Sequence, residues 1–298
     1  MASDREQLAT ATRSPEPSGV GAPSPPTRPP PRQPKPTLAR QAQLRLTSIA
    51  PAVASVATGI LLWELVGRVF FSERTVFFSP PSAIFAEAVE LWQAGELQRH
   101  LAVSGYELAA GLGLAIVVGV AVGFLMAANG AVHRALDPWV NAFYATPRIA
   151  IAPLLIIWLG IGPVSIIAVV FLSAVFPMLI NTLTGLKVVD RKLLDVGKTY
   201  GARRFQMFWT IQFPSALPFI LTGVRLAYGR GLVGVVVGEL MGATAGIGWL
   251  VYTSGQILNT TRLLVGVVSL MFAGVIGNWL LKRAERRFTG WAHSNVTE

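Results

Sequence analysis

The chain contains no cysteine among its 298 residues, and only 13% of them are charged. The first absence excludes a disulfide scaffold, a thiolate metal site and a cysteine nucleophile. The second, beside 52% hydrophobic residues and a mean hydropathy of +0.54, excludes an ordinary soluble domain and points to an integral membrane protein. Histidine is almost as scarce: His100, His133 and His293 lie far apart with no second ligand at helical spacing, so no metal site is expected. Neither a Walker A sequence nor a G-x-S-x-G elbow occurs. The glycines of GLGLAIVVG, residues 111–119, fall inside an apolar run with no strand before them, so they make no dinucleotide fold. The chain is therefore expected to hold no nucleotide or other cofactor and to carry no catalytic residue. Its formal charge of +10 does not indicate nucleic acid, because the basic residues sit in a tail and in polar interruptions rather than among aromatics.

What is present divides into three parts. Residues 1–45 include RSPEPSGVGAPSPPTRPPPRQPKP, which is too rich in proline and too poor in large apolar side chains to bury a core. It is expected to be a disordered, Pro-rich cytoplasmic tail, either simply solvated or used as a PxxP-type docking segment. No apolar segment near the start has the form of a secretory signal. Residues 46–290 are expected to form an all-α, polytopic membrane domain, and residues 291–298 a short cytoplasmic tail. About 20 apolar residues span the hydrocarbon, and six such runs are read at about 49–71, 104–127, 137–160, 163–187, 215–241 and 263–281. Lys and Arg concentrate in the tail, in 128–148, in 187–213 and after 282, whereas 72–103 is acidic on balance and 242–261 carries no charge. That alternation places both termini in the cytoplasm.

Within the runs, Ala115, Gly119, Gly123 and Ala127 recur every fourth residue, as do Gly223, Ala227 and Gly231 and then Gly234 and Gly238. Small residues at this spacing let helices approach closely, so these faces are expected to pack on other helices. Ionisable side chains in lipid are expensive and are default site candidates. Glu64 and Arg68, four apart, are expected to pair, and Glu107 to be interfacial. Arg225 and Glu239 lie about 40° apart in azimuth and about 21 Å apart along one helix, while Arg230 points about 140° from Arg225. Arg225, Arg230 and Glu239 either line a polar path or are spent on snorkelling and interhelical pairing.

One polar interruption stands out. LLDVGKTYGARRFQMFW, residues 193–209, has amphipathic helical character, with basic residues on one side and Tyr200, Phe205, Phe208 and Trp209 available to pack. Pro214 is expected to end this element before the next span. The element is either an amphipathic connector on the headgroups or a lever for another protein. Here the sequence resembles the permeases of binding-protein-dependent ABC importers, whose cytoplasmic loop reads Glu-Ala-Ala, three residues, Gly, nine residues, Ile-x-Leu-Pro. This chain has Asp195-Val196-Gly197, then Gly201, then Ile211-Gln212-Phe213-Pro214. Asp195 stands for Glu, Val196 and Gly197 for the two alanines and Phe213 for Leu. Gly197 is expected to weaken the helix. APLLIIWLGIGPVSII, FPMLINT and the run from Ala216 to Val251 look like the nitrate/sulfonate/taurine branch, so the resemblance covers about residues 50–290.

The resemblance implies an importer in which two permease copies form the pathway in a bacterial inner membrane. A separate ATP-binding subunit would hold ATP and magnesium, and an external solute-binding protein would deliver cargo. Asp195, Gly201, Ala202, Arg203, Ile211 and Pro214 would couple the chain to the ATPase: Gly201 at a tight docking turn, Asp195 and Arg203 in polar contacts, Ile211 and Pro214 fixing the joint. Arg225 and Arg230 suit a sulfonate- or nitrate-like anion. Glu107 stands where sulfonate-type members usually carry Arg, which leaves a thiamine-precursor-like or riboflavin-like heterocycle as the alternative. A secondary transporter or channel would instead need inverted repeats with paired broken helices.

Overall fold

The structure, a computed structural model, describes residues 38–70 and 78–289. Residues 1–37 of the Pro-rich segment and the C-terminal tail at 291–298 lie outside the described residues. The chain divides into two units, Met1–Ser55 and Val56–Glu298. In the first, described residues 38–55 are helical. Helix α1 (Leu38–Phe70) thus begins upstream of the boundary expected at residue 45, because LARQAQLRL follows the last proline of the tail and contains neither Pro nor Gly.

The remaining elements are α2 (Pro81–Gln93), α3 (Glu96–Ala128), α4 (Gly130–Ala145), α5 (Arg148–Leu159), α6 (Pro163–Lys187), α7 (Arg191–Thr199), α8 (Arg204–Met207), α9 (Phe213–Gly242), α10 (Ile247–Gln256) and α11 (Thr260–Thr289). All described secondary structure is helical, as expected of a chain that must satisfy its backbone inside lipid. Among the described residues, α3, α6, the run Phe205–Gly242 and α11 are long and apolar enough to cross a membrane. The run expected at 137–160 is not one straight span. It is the pair α4 and α5, bent by 102° where Thr146 and Pro147 interrupt the helix. Counting that pair gives five spans among the described residues, and the first expected run, at about 49–71, extends beyond them.

Helix α6 is the centre of the bundle, packed between α3 and α9. On α3 the buried stripe reads Glu107, Gly111, Ala115, Gly119 and Gly123, every fourth residue. A Cβ on Gly111 would stand 2.6 Å from Val170 Cβ and 2.8 Å from the Ile167 carbonyl oxygen; one on Gly119 would stand 2.8 Å from Met178 Cβ. On α9 a Cβ on Gly234 would stand 2.9 Å from Ser173 Oγ, and one on Gly223 would stand 2.9 Å from Asn181 Cβ. The expected small-residue faces therefore both close on α6. Pro177 is buried in α6 without ending it.

Two short helices are fixed by carboxylates from longer ones. Glu64 Oε2 accepts from Ser82 N at 2.9 Å and Oε1 from Ser82 Oγ at 2.6 Å, so α1 caps the N-terminus of α2. Arg68 Nε lies 2.5 Å from Glu64 Oε1, the expected i,i+4 pair. The turn at Gly160 and Gly162 has φ of +83° and +137°, and Gly162 N donates to the Gly242 carbonyl at the end of α9.

Substituting Gly111→Ala should cost about 1–3 kcal/mol by overpacking against backbone, whereas Gly113→Ala, with nothing within 4 Å, should cost nothing and gain up to about 1 kcal/mol of helix propensity. Thermal unfolding of both variants in detergent checks this, and equal midpoints would contradict the α3–α6 contact.

Candidate coupling helix and candidate pathway

Asp190 starts α7, its side chain accepting from Lys192 N at 2.8 Å. The helix ends at Tyr200, followed by Gly201 at φ +74°. Gly201 N donates to the Lys198 carbonyl at 2.9 Å and Ala202 N to the Gly197 carbonyl at 3.0 Å. This paired closure with a left-handed residue is a Schellman turn, in which any side chain with a Cβ is strained. Gly201, which the resemblance implies sits at a tight docking turn, occupies this left-handed position.

After Ala202 the chain leaves the helix for one step. Arg203 then opens α8, with Gln206 Oε1 accepting its N–H at 3.2 Å, half of a capping box. Pro214 does not end an element as expected. Helix runs unbroken from Phe205 to Gly242, and the interruption falls earlier, at Gly201 to Arg203. Residues 208–212 form one π-helical turn, with Phe213 N donating to the Phe208 carbonyl. That wider turn precedes a proline that has no N–H to give and whose ring would crowd the carbonyl four residues back. Ile211 and Pro214 thus belong to the same rod as the span.

Gly197 does not break α7. A Cβ there would meet Ile211 Cδ1 at 3.1 Å and Met207 Sδ at 3.4 Å, so the glycine is where α7 lies against the rod. Asp195 Oδ1 pairs with Lys198 Nζ at 2.9 Å, both exposed, and Arg203 is exposed. Beside them Tyr200 is 87% and Phe205 75% exposed, an unusual display of large rings next to charge. Phe208 packs on Phe124 of α3 at 4.4 Å between centroids, next to an apolar cavity of about 850 Å³.

Arg225 Nη1 lies 3.2 Å from Glu285 Oε2 of α11. Arg225 and Arg230 nevertheless open on one cleft of about 590 Å³ with Asn278 and Lys282, despite their separation in azimuth. Glu239 is not brought to that cleft. It is 1% exposed, bonded to Ser104 Oγ and Gly248 N, and caps α10. Its azimuth on α9 was legible; its partners on α3 and α10 were not. Glu107, expected at an interface, is also buried, and so are His100 and Ser104. The signal available was their spacing, since Glu107 continues the stripe of Gly111 by four residues and Ser104 precedes it by three.

A family model for "Binding-protein-dependent transport system inner membrane component" matches residues 115–290. The chain is 32% identical over 235 residues, 79% of its length and 85% of the relative's, to a putative aliphatic sulfonates transport permease protein of Bacillus subtilis. It is 30% identical, over 82% of its length and 90% of the relative's, to the taurine transport system permease protein of Escherichia coli. A formylaminopyrimidine transport permease protein of Halalkalibacterium halodurans is 30% identical over 78% of this chain and 92% of its own length. In fold, the chain is similar to a chain of the inward-facing MetNI methionine ABC transporter, with a TM-score of 0.59 and 21% identity over 65% of this chain and 96% of that one.

Because only flexible side-chain ends face Gly197, Gly197→Ala should be tolerated and stiffen α7 by about 1 kcal/mol, whereas Gly197→Leu should displace α7. Limited trypsin cleavage after Lys198 reads this: several-fold faster in the Leu variant and no faster in the Ala variant.

Proposed function

We infer the function from one premise: this chain belongs to the family of binding-protein-dependent transport system inner membrane components. It is a membrane permease of an ABC importer and not an enzyme in itself. It forms the translocation pathway for a small organic or inorganic anion of the sulfonate, taurine or nitrate type. The names of the Bacillus and Escherichia relatives support that cargo, and so does the cleft of Arg225, Arg230 and Lys282, which attracts anions. Glu107, which stood for a different cargo, is buried against Glu239 and does not face that cleft. The second reading, import of a thiamine-precursor-like heterocycle, rests on the Halalkalibacterium relative.

The observation that carries the mechanism is the joint at Gly201. Helix α7 ends in a Schellman turn, lies on Ile211 through Gly197, and leads into a rod that continues to Gly242. An ATP-binding subunit holding ATP and magnesium receives Asp195, Tyr200, Ala202 and Arg203 in a groove. Closure of the ATPase pair moves α7, and the rod carries that motion into the bundle. An external solute-binding protein delivers cargo, and a second copy of this chain completes the pathway. The chain resides in a bacterial inner membrane with both termini in the cytoplasm, as the basic clusters at 187–213 and after 282 support.

Gly201→Trp should leave membrane insertion intact, because nothing lies within 4 Å of Gly201, but it strains the turn and fills the docking face. Affinity purification in mild detergent should recover an ABC ATPase with the wild type and not with the variant, and the variant should lose uptake. Normal uptake by a well-expressed Gly201→Trp would sink the coupling role. Neutralising Arg225 and Arg230 together to Gln should lower uptake of the anion about tenfold or more while leaving the ATPase bound. Uptake equal to wild type would make both arginines structural.

A further inference from the structure

Helix α11 ends in charge of almost one sign. Residues 279–289, WLLKRAERRFT, contain the cations Lys282, Arg283, Arg286 and Arg287 and one carboxylate, Glu285. Glu285 lies 3.2 Å from Arg225 of α9, so the acid is turned in to the bundle. The four cations are exposed instead, and with Trp279 they line a cleft of about 650 Å³, a volume in the range of small-molecule sites. At about 100° per residue they fall within an arc of about 140°, and Trp279, one turn earlier, lies near the middle of that arc. Arg283 Cζ stands 5.8 Å from the centre of the Trp279 ring, a cation–π distance that keeps ring and guanidinium on one face.

The same arc continues back along the helix as an apolar stripe. Phe272, Val275 and Ile276 fall within it, and each is more than half exposed. Of the apolar stretch of α11, 11% is buried inside the chain, against 56% for α6, so most of α11 is left to the hydrocarbon. Trp279 stands between stripe and cations, where an amphipathic ring belongs at the headgroup level. One face of α11 thus presents, in order, an apolar surface, an aromatic ring and guanidinium groups. A phospholipid presents the complementary series from acyl chains to phosphate.

We propose that the basic end of α11 is a binding site for an anionic phospholipid. Arg283, Arg286 and Arg287 hold its phosphate beside Trp279, and its acyl chains lie along Phe272, Val275 and Ile276. Guanidinium groups suit this role because their paired N–H donors match two phosphate oxygens at once. A zwitterionic lipid offers the same phosphate but brings a cation into a field of four, so net negative charge selects the ligand. Free inorganic phosphate carries the charge and leaves the apolar stripe uncovered, so it binds more weakly. Lys282 also lines the cleft of Arg225 and Arg230, which places the lipid at the border of the candidate pathway.

The test is native mass spectrometry of the full-length chain in detergent, titrated with phosphatidylglycerol or with phosphatidylcholine of the same acyl chains. The wild type should bind phosphatidylglycerol about tenfold or more tightly than phosphatidylcholine, and millimolar inorganic phosphate should not displace it. Arg283→Gln/Arg286→Gln should weaken phosphatidylglycerol binding about twentyfold, at roughly fivefold for each arginine. Arg99→Gln/Arg134→Gln, which removes two exposed cations elsewhere, should leave it unchanged. Trp279→Ala should weaken both lipids several-fold. Equal binding of the two lipids by the wild type, the same loss in both double variants, or displacement by phosphate would each overturn the proposal. So would a dimer that Arg283→Gln/Arg286→Gln dissociates while lipid binding persists, since a second copy would then cover this face. Should the α11 variants not fold, the wild type still decides through lipid selectivity and phosphate competition.

Discussion

Close packing of α6 between two ridges of small residues is the constraint on which the other features depend. In lipid, apolar burial gives no net drive for helices to associate, so contact distance and interhelical polar pairing hold the bundle. Backbone and short side chains meet at Gly111, Gly119 and Gly123 on one side and at Gly223, Gly234 and Gly238 on the other. Dispersion forces fall steeply with distance, so a single added methyl at such a point is felt by three helices at once. The stripe on α3 does not stop at its last glycine. One turn further it becomes Glu107 and Ser104, so the register that fits α3 to α6 also delivers two polar side chains to the start of α10.

A second theme is the capping of short helices by carboxylates from long ones. Glu64 satisfies the first turn of α2 and Glu239 the first turn of α10. Helix termini leave amides without partners, and a nonpolar surrounding supplies none. Lending an acid from a neighbouring helix satisfies those amides, places a negative charge at the favourable end of the helix dipole, and fixes where the short helix sits. The same acids would be costly if exposed to hydrocarbon.

The sequence made legible what repeats or breaks locally. Apolar runs of membrane length located α3, α6, α9 and α11, spacing by four identified both ridges, and the Gly201 register located the turn. Features that depend on partners distant in sequence were hidden. Glu239 and Gly248 lie only nine apart, yet the third member, Ser104, is on another helix. The bend between α4 and α5 was missed because Thr146 and Pro147 are too few to interrupt an apolar average. Pro214 misled for a different reason: the π-turn that accommodates it is a backbone adjustment with no residue signature of its own.

The uninterrupted helix from Phe205 to Gly242 has a mechanical consequence. Its 38 residues make a strut about 57 Å long, longer than the hydrocarbon is thick. If it pivots near one end, a tilt of about 5° sweeps the other through about 5 Å, nearly one helical pitch. Small angular changes at the Gly201 end therefore arrive near Glu239 as large translations. The π-turn at 208–212 then sets the gearing: a stiff turn passes the whole stroke on, and a yielding one absorbs it.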